Sequence, residues 1–282
     1  MHTESLLDIP APRLIASDID GTFLDRNHRV PPRNRDAVVR AVAAGAHFAL
    51  STGRPYRWIA PVVEQLPLRP LCVTSNGAVI YDAHRDQVVR STELSAPVLA
   101  QVVAAAHEAM ASHGGIAIGV ERAGTSSLDP VEELYVVDPL YSENAMFDGF
   151  GVAPTAEVVA QPAVKLLLRN TQLSAPQLYD LISPHIDPQL AHVTYSMDAG
   201  ILEVAAPGVT KAAGVEWLAR HYGVEQHRTI AFGDMPNDVE MLQWAGLGVA
   251  MDNAAPQVKE AADYVAPPNH AAGVAAVLER WF

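Results

Sequence analysis

The apolar positions of the first part of the chain switch between two periods. Leu14-Ile15-Ala16, Phe48-Ala49-Leu50 and Leu71-Cys72-Val73 are short apolar runs of strand type. Between the first two, Val38, Val39 and Val42 fall at helical spacing, after Pro31-Pro32 and before Gly45, which suit a helix start and end. Ser51-Thr52-Gly53-Arg54-Pro55 is a loop, with Pro55 suited to the first turn of a following helix. Asn76-Gly77 stops the third strand. Strands alternating with helices predict a parallel sheet covered on both faces, an α/β fold whose ligands bind at the carboxyl ends of the strands.

The middle of the chain breaks this rhythm. Val79-Ile80-Tyr81 and Gln87-Val88-Val89 suggest a hairpin. A long helix carrying Val98, Leu99, Val102 and Val103 follows, ending before Gly114-Gly115. Ile116 to Val120, Leu134 to Val137, Val164 to Leu168, His192 to Tyr195 and Ile201 to Val204 are strand candidates, and Gln177 to Ile182 is predicted helical. This mix predicts an inserted α+β module over 84–206, flanked by one domain made of 1–83 and 207–282. In the last part the alternation returns. Thr210 can cap a helix carrying Lys211, Val215 and Leu218 that ends near Tyr222-Gly223. Thr229 to Phe232 and Gly248 to Met251 are strands, Pro256 begins a helix, Asp263 to Ala266 is a short strand, and Ala271 to Trp281 closes the chain helically.

Charge changes the picture of partners. The chain carries 19 Lys and Arg against 32 Asp and Glu, a formal net charge of −13. That argues against nucleic acid and against an anionic membrane surface. Segment 84–206 holds five Lys and Arg against 15 Asp and Glu, so most of the excess lies in the insert. The single cysteine, Cys72, sits in an apolar run and permits no disulfide within the chain, which points to a reducing, cytoplasmic setting. Met1 to Pro12 lacks the basic and apolar regions of a signal peptide and is expected to be a short irregular tail. No apolar stretch is long enough to span a bilayer.

The candidate chemistry lies at strand ends. Leu14 to Ser17 feeds Asp18-Ile19-Asp20-Gly21-Thr22. If strand geometry persists, Asp18 and Asp20 leave from the same side. Two carboxylates so close are tolerated when a cation lies between them or one is protonated. A solvated acidic turn is the other reading of this stretch alone. Asp234 stands at a second strand end, with Asp238 four residues on, although acids there also suit a helix start. Lys211, in the first turn of a helix, opposes the helix dipole by up to about 1 kcal/mol. A helix start bearing a lysine is nevertheless an anion site, though an exposed lysine without a role is the alternative. Ser51-Thr52-Gly53 offers a hydroxyl and backbone N–H groups for a phosphate, or merely a helix cap. Together, Asp18, Asp20 and Asp234 form an oxygen donor set for Mg2+, with Thr52 and Lys211 on the phosphoryl oxygens.

At this point the chain resembles the haloacid dehalogenase-like phosphohydrolase superfamily, in its Cof-type branch with a large α/β cap. The resemblance runs from Leu14 to the C-terminus. It is carried by Asp18-Ile19-Asp20-Gly21-Thr22, Ser51-Thr52-Gly53-Arg54, Lys211 and Gly233-Asp234-Met235-Pro236-Asn237-Asp238, in the family's order. Asn76-Gly77 and Met251-Asp252-Asn253-Ala254 also stand where this branch has similar runs. The resemblance implies a Rossmann-like core with an inserted cap that excludes water and selects the substrate. It implies Asp18 as the nucleophile that becomes an aspartyl-phosphate, and Asp20 as general acid and then base. It implies Mg2+ held by Asp18, the Asp20 carbonyl and Asp234, with Asp238 behind them. Thr52, Gly53, Lys211 and Asn237 would bind the phosphoryl group.

An acid at Asp20 favours phosphatase or phosphomutase work, because haloalkanoate dehalogenases of the superfamily lack it. Two departures stand out. Ala212 follows Lys211 where relatives often have Gly, and Asp252 stands where Gly is common. The expected substrates are small phosphate monoesters such as sugar phosphates or pyridoxal phosphate, since the acidic insert disfavours polyanions. A phosphomutase and a non-catalytic phospholigand-binding protein are the alternative functions. Tyr135, Tyr141, His192 and Tyr195 are candidates to face a substrate, or core residues. Oligomeric state is not legible in the chain.

Overall fold

The computed structural model describes residues 9–143, 145, 148–195 and 199–282. The tail expected for Met1 to Pro12 lies, as far as Asp8, outside the described residues. The chain divides into two compact units, one formed by the residues up to Asp86 with Thr210–Phe282, the other by Gln87–Val209.

The first unit begins with β1 (Leu14–Ser17), α1 (Pro32–Ala43), β2 (His47–Ser51), β3 (Leu71–Thr74) and β4 (Val79–Asp82). The second holds β5 (Gln87–Ser91), α2 (Ala96–Met110), β6 (Ala117–Glu121), β7 (Tyr135–Val137), β8 (Gly151–Val152), β9 (Lys165–Arg169), α3 (Ala175–Ile182), β10 (His192–Thr194) and β11 (Ile201–Ala205). The chain then returns to the first unit with α4 (Lys211–Tyr222), β12 (Thr229–Gly233), α5 (Val239–Trp244), β13 (Leu247–Met251), α6 (Pro256–Ala261), β14 (Tyr264–Ala266) and α7 (Gly273–Leu278).

In the first unit the strand order is β14-β13-β12-β1-β2-β3-β4. Every neighbouring pair is parallel up to β3, and β4 returns antiparallel. A strand buried on both faces can be apolar at every position, and Leu14, Ile15 and Ala16 are all fully buried. Their alternation sends Leu14 and Ala16 to one face, where they join Val215 and Leu218 of α4, Met241 and Leu242 of α5 and Val258 of α6. On α1, Ala37, Val38 and Ala41 are buried, and this helix packs against α7. The strand β1 lies between β12 and β2, so the carboxyl ends of all three emerge side by side.

The second unit is a mixed sheet in the order β10-β11-β9-β6-β7-β8, antiparallel except for the β7–β8 pair. Ile118, Val120, Leu166, Leu168, Leu202 and Val204 alternate along three adjacent strands and are all fully buried. Two-residue β8 and the short helices Pro139–Ser142 and Thr155–Val158 carry no periodic signal and had no counterpart in the sequence reading.

Two expected helices differ. Pro55 precedes a 3-10 turn, Tyr56–Ile59, which runs into the one-turn helix Ala60–Val63, so the helix expected after it starts in 3-10 form. At the C-terminus, the 3-10 turn Asn269–Ala271 and the left-handed Ala272 come before α7, which ends at Leu278. Gly273 lets α7 start hard against the Pro267 carbonyl, which would be 1.9 Å from a β-carbon at that position. No described helix is long and apolar enough to cross a membrane.

Candidate active site

The β1 strand does not continue through Asp20. It ends at Ser17, and Ile19–Phe23 forms one wide turn, closed by Phe23 N–H donating to the Asp18 carbonyl at 3.2 Å. The turn depends on Gly21, whose φ is +79°. A β-carbon there would also meet the Asp234 carboxylate at 2.2 Å. The two aspartates therefore have different surroundings. Asp18 is buried, whereas Asp20 is half exposed and bonded through both carboxylate oxygens to Arg54, with Nε donating at 2.6 Å and Nη2 donating to the other oxygen.

Asp18, Asp234 and Asp238 converge. Each offers a carboxylate oxygen within 4.8 Å of the others, and all three are buried. Lys211, carried on the first turn of α4 and 2% exposed, donates to Asp18 at 2.6 Å and to Asp238 at 2.7 Å. Thr210 caps that helix by accepting from Ala213 N–H, which fixes where the lysine emerges. Asp238 has both oxygens committed, since Oδ2 accepts from the N–H groups of Asp234 and Met235 at 3.0 Å each. Asp234 Oδ1 accepts from the Thr22 hydroxyl at 2.8 Å. The second carboxylate oxygens of Asp18 and Asp234 are thus the acidic atoms left to a ligand.

Three acids and one ammonium leave excess negative charge in a dry place. Burial, with Asp238 and Asp234 adding to it, holds the Asp18 carboxyl well above the usual range against the pull of Lys211. Burial also pushes Asp234 up to about 6, with Asp238 and Asp20 raising it and Thr22 and Lys211 opposing. For Lys211, burial disfavours charge, but Asp18 and Asp238 outweigh it and raise the ammonium above its ordinary value. An oxygen-only donor set with surplus charge fits a small hard divalent cation.

Thr52, Gly53 and Asn237 lie on the loops that follow β2 and β12 of the first unit. Thr52 follows β2, and its hydroxyl accepts from Arg54 N–H at 3.1 Å. A β-carbon on Gly53 would stand 3.0 Å from the Asn76 carboxamide oxygen, which itself accepts from Asn237 Nδ2 at 3.0 Å. Asn237 Oδ1 and the Ser51 hydroxyl are buried with no partner among the described residues. Tyr135 and Tyr141 are buried in the second unit, where His192 is exposed and Tyr195 intermediate. Ala212 packs against the apolar cluster under the sheet, and Asp252 is paired with Lys259 at 3.1 Å.

Thr22, Arg54, Asn76 and Asn253 acquire partners that the sequence reading did not assign. Asn253 Nδ2 donates to the Gly21 carbonyl at 2.8 Å, so the run after β13 braces the acidic turn. All four stood inside quoted motifs, but the groups they bond are distant in sequence.

Known proteins match nearly the whole chain. A family model described as haloacid dehalogenase-like hydrolase matches residues 15–278. The chain is 28% identical over 279 residues to the 5-amino-6-(5-phospho-D-ribitylamino)uracil phosphatase YitU of Bacillus subtilis, covering 96% of this chain and 98% of that protein. It is 29% identical over 277 residues to the HMP-PP phosphatase of Serratia proteamaculans, covering 95% of each. Among solved structures, the subclass IIB sugar phosphatase BT4131 has the same fold, with a TM-score of 0.75 at 23% identity over 95% of this chain and 98% of that one. The phosphatase BT1666 of Bacteroides thetaiotaomicron superposes with a TM-score of 0.78 at 21% identity, covering 99% and 97%.

Proposed function

Since the chain belongs to the haloacid dehalogenase-like hydrolase family, we propose that it is a Mg2+-dependent phosphatase of small phosphate monoesters. We assign turnover to an aspartyl-phosphate on Asp18. The observation that carries this reading is the buried Asp18 carboxylate, held by Lys211 and flanked by Asp234 at the carboxyl ends of β1 and β12. Asp18 and Asp234, with the Asp20 carbonyl, would hold the metal, and the cation would neutralise charge that builds on the transferred group. Asp238 has no oxygen to spare and acts by holding Lys211.

In the first step Asp18 attacks phosphorus and the ester P–O bond breaks. The electron pair leaves with the alkoxide oxygen, and Asp20 supplies its proton. In the second, Asp20 takes a proton from water, the water oxygen attacks the aspartyl-phosphate, and orthophosphate departs with Asp18 restored. Splitting one displacement into two lowers each barrier. Asp20 rests on Arg54, so turning its carboxyl towards the leaving oxygen is a required part of the cycle. Thr52, Gly53, Lys211 and Asn237 hold the non-reacting phosphoryl oxygens, since positioning and charge neutralisation supply most of this catalysis.

Residues 1–83 and 207–282 are the catalytic core in this reading, and 84–206 is the cap that chooses the leaving group. The cap's acidic surplus disfavours polyanions. Sugar phosphates, pyridoxal phosphate and the small phosphate esters acted on by the named relatives are the substrate class. Buried Cys72, its thiol pushed up to about 12 by burial, is inert and suits the cytoplasm. A panel of phosphate esters, assayed for orthophosphate release with and without Mg2+, tests the proposal, with Asp18→Asn as the blank. Release that needs both Mg2+ and Asp18 supports it. No release from any ester refutes it.

A further inference from the structure

The turn after β3 has an unusual backbone. Ser75, Asn76 and Gly77 are consecutive residues with positive φ, at 50°, 56° and 100°. A left-handed conformation is unfavourable for Ser and is tolerated by Asn and Gly. Strain of this kind, of order 1–3 kcal/mol per residue, persists only where the surroundings impose it.

Each residue of the turn meets a different part of the site. Ser75 N–H donates to the Arg54 carbonyl at 2.9 Å, and Asn76 N–H donates to the Thr52 carbonyl at 3.0 Å. The loop from Thr52 to Arg54 is thereby pinned by backbone bonds to this turn. The Asn76 carboxamide accepts from Asn237 Nδ2 at 3.0 Å and lies against Gly53. Gly77 seats on the Thr210 carbonyl, which would be 2.1 Å from a β-carbon at that position. Thr210 is the cap of the helix whose first residue is Lys211.

Thus the four residues assigned to the phosphoryl group, drawn from segments far apart in sequence, all rest on one three-residue turn. The acidic cluster meets the turn only through Lys211: Asp18 and Asp238 accept from that ammonium, and Asp234 and Asp238 take their remaining bonds from Thr22 and backbone N–H groups.

We propose that Ser75-Asn76-Gly77 is the positioning element of the phosphate-holding face. In it, the Asn76 carboxamide sets Asn237 against Gly53, and Gly77 sets the start of the Lys211 helix. This rests on the phosphatase reading of the site. The turn governs how well the phosphoryl group is held, and its Asn76–Asn237 bond does so without a direct bond to the acidic cluster.

The test uses the full chain, with orthophosphate as the probe and p-nitrophenyl phosphate as the chromogenic ester. Asn76→Gly keeps the left-handed backbone without strain and removes only the carboxamide. It should weaken orthophosphate binding about tenfold, the factor carried by one hydrogen bond of ordinary strength. The Mg2+ concentration for half-maximal activity should stay within about twofold, a split that general loosening of the fold would not produce.

Asn237→Ala should cost a similar factor, and the double variant should cost no more than either alone. If Asn76→Gly fails to fold, Gly53→Ala serves instead, because its methyl group would press on the Asn76 carboxamide. It should weaken orthophosphate binding while leaving the Mg2+ midpoint unchanged. Unchanged orthophosphate affinity, strictly additive losses, or a parallel shift of the Mg2+ midpoint would each overturn the proposal. A wild-type chain that neither hydrolyses the ester nor binds orthophosphate removes the phosphatase reading, and the proposal with it. Wild-type turnover with unaffected variants removes the proposal alone.

Discussion

Each unit buries one lysine between two carboxylates, and the two arrangements differ in what surrounds them. In the second unit, Lys165 lies on β9 and pairs with Glu203 on β11 at 2.8 Å and Glu121 on β6 at 3.8 Å. Those strands are hydrogen-bonded neighbours, and Glu121 stands directly across from Lys165. In the first unit, Lys211 also bridges two acids, but the acids stand on loops beyond strand ends and a third, Asp234, joins them. The sheet-centred triad is held by regular pairing and carries one surplus negative charge. The loop-borne cluster carries two, and it holds Asp18 and Asp234 above their usual range. The first arrangement needs no ligand to be satisfied. The second leaves one oxygen each of Asp18 and Asp234 without a partner among the described residues, as the proposed cation and phosphate require.

The largest effect expected from this contrast is catalytic. Asp18→Asn should lower kcat by about 10^4-fold or more, since it removes the proposed nucleophile. It should not lower the melting temperature of the metal-free chain, because a buried charge held against its preference is removed. Steady-state assay with thermal unfolding of the same sample checks both halves. In the other unit the balance reverses. Lys165→Met strands two buried carboxylates and should cost about 3–5 kcal/mol of stability. Denaturant unfolding would measure that loss, and a cost below about 1 kcal/mol would contradict a structural role.

A smaller effect is expected from Gly21→Ala. The added methyl group collides with the Asp234 carboxylate and strains a turn at positive φ. Raising the Mg2+ midpoint by about 10- to 100-fold, the usual cost of disturbing a ligand's support, is the predicted result of a metal titration.

The smallest effect is a slope. Asp234 holds a proton up to about pH 6 in the folded chain, whereas an unfolded aspartate releases it near pH 4. Between those values the metal-free folded state binds more protons than the unfolded one, so stability falls as pH rises. Asp234→Asn should flatten that slope, and Mg2+ should remove it by favouring the ionised carboxylate. Melting temperatures from pH 4 to 7 would show either change, and an unaltered slope in Asp234→Asn would assign the titration elsewhere.

The alternating elements of the first unit were legible because strands buried on both faces are continuous apolar runs and the helices between them keep one apolar stripe. Asp18, Lys211 and Asp234 were legible as residues at strand or helix ends, where ligands collect. What was not legible depends on folding in three dimensions. Asp20 was expected beside Asp18, but the turn at Gly21 ends the alternation and leaves Asp20 to Arg54, 34 residues on. The bond between Asn76 and Asn237 spans 161 residues, and nothing local predicts it. The strand β8 has two residues, too few for any period to show.

The most direct test asks whether phosphate becomes bonded to Asp18. Chain quenched in acid during turnover of a 32P-labelled monoester should carry label that resists acid, is released by hydroxylamine and maps to the peptide containing Asp18. Asp18→Asn should carry none. Turnover without any trapped label, together with persistent activity in Asp18→Asn, would contradict the account.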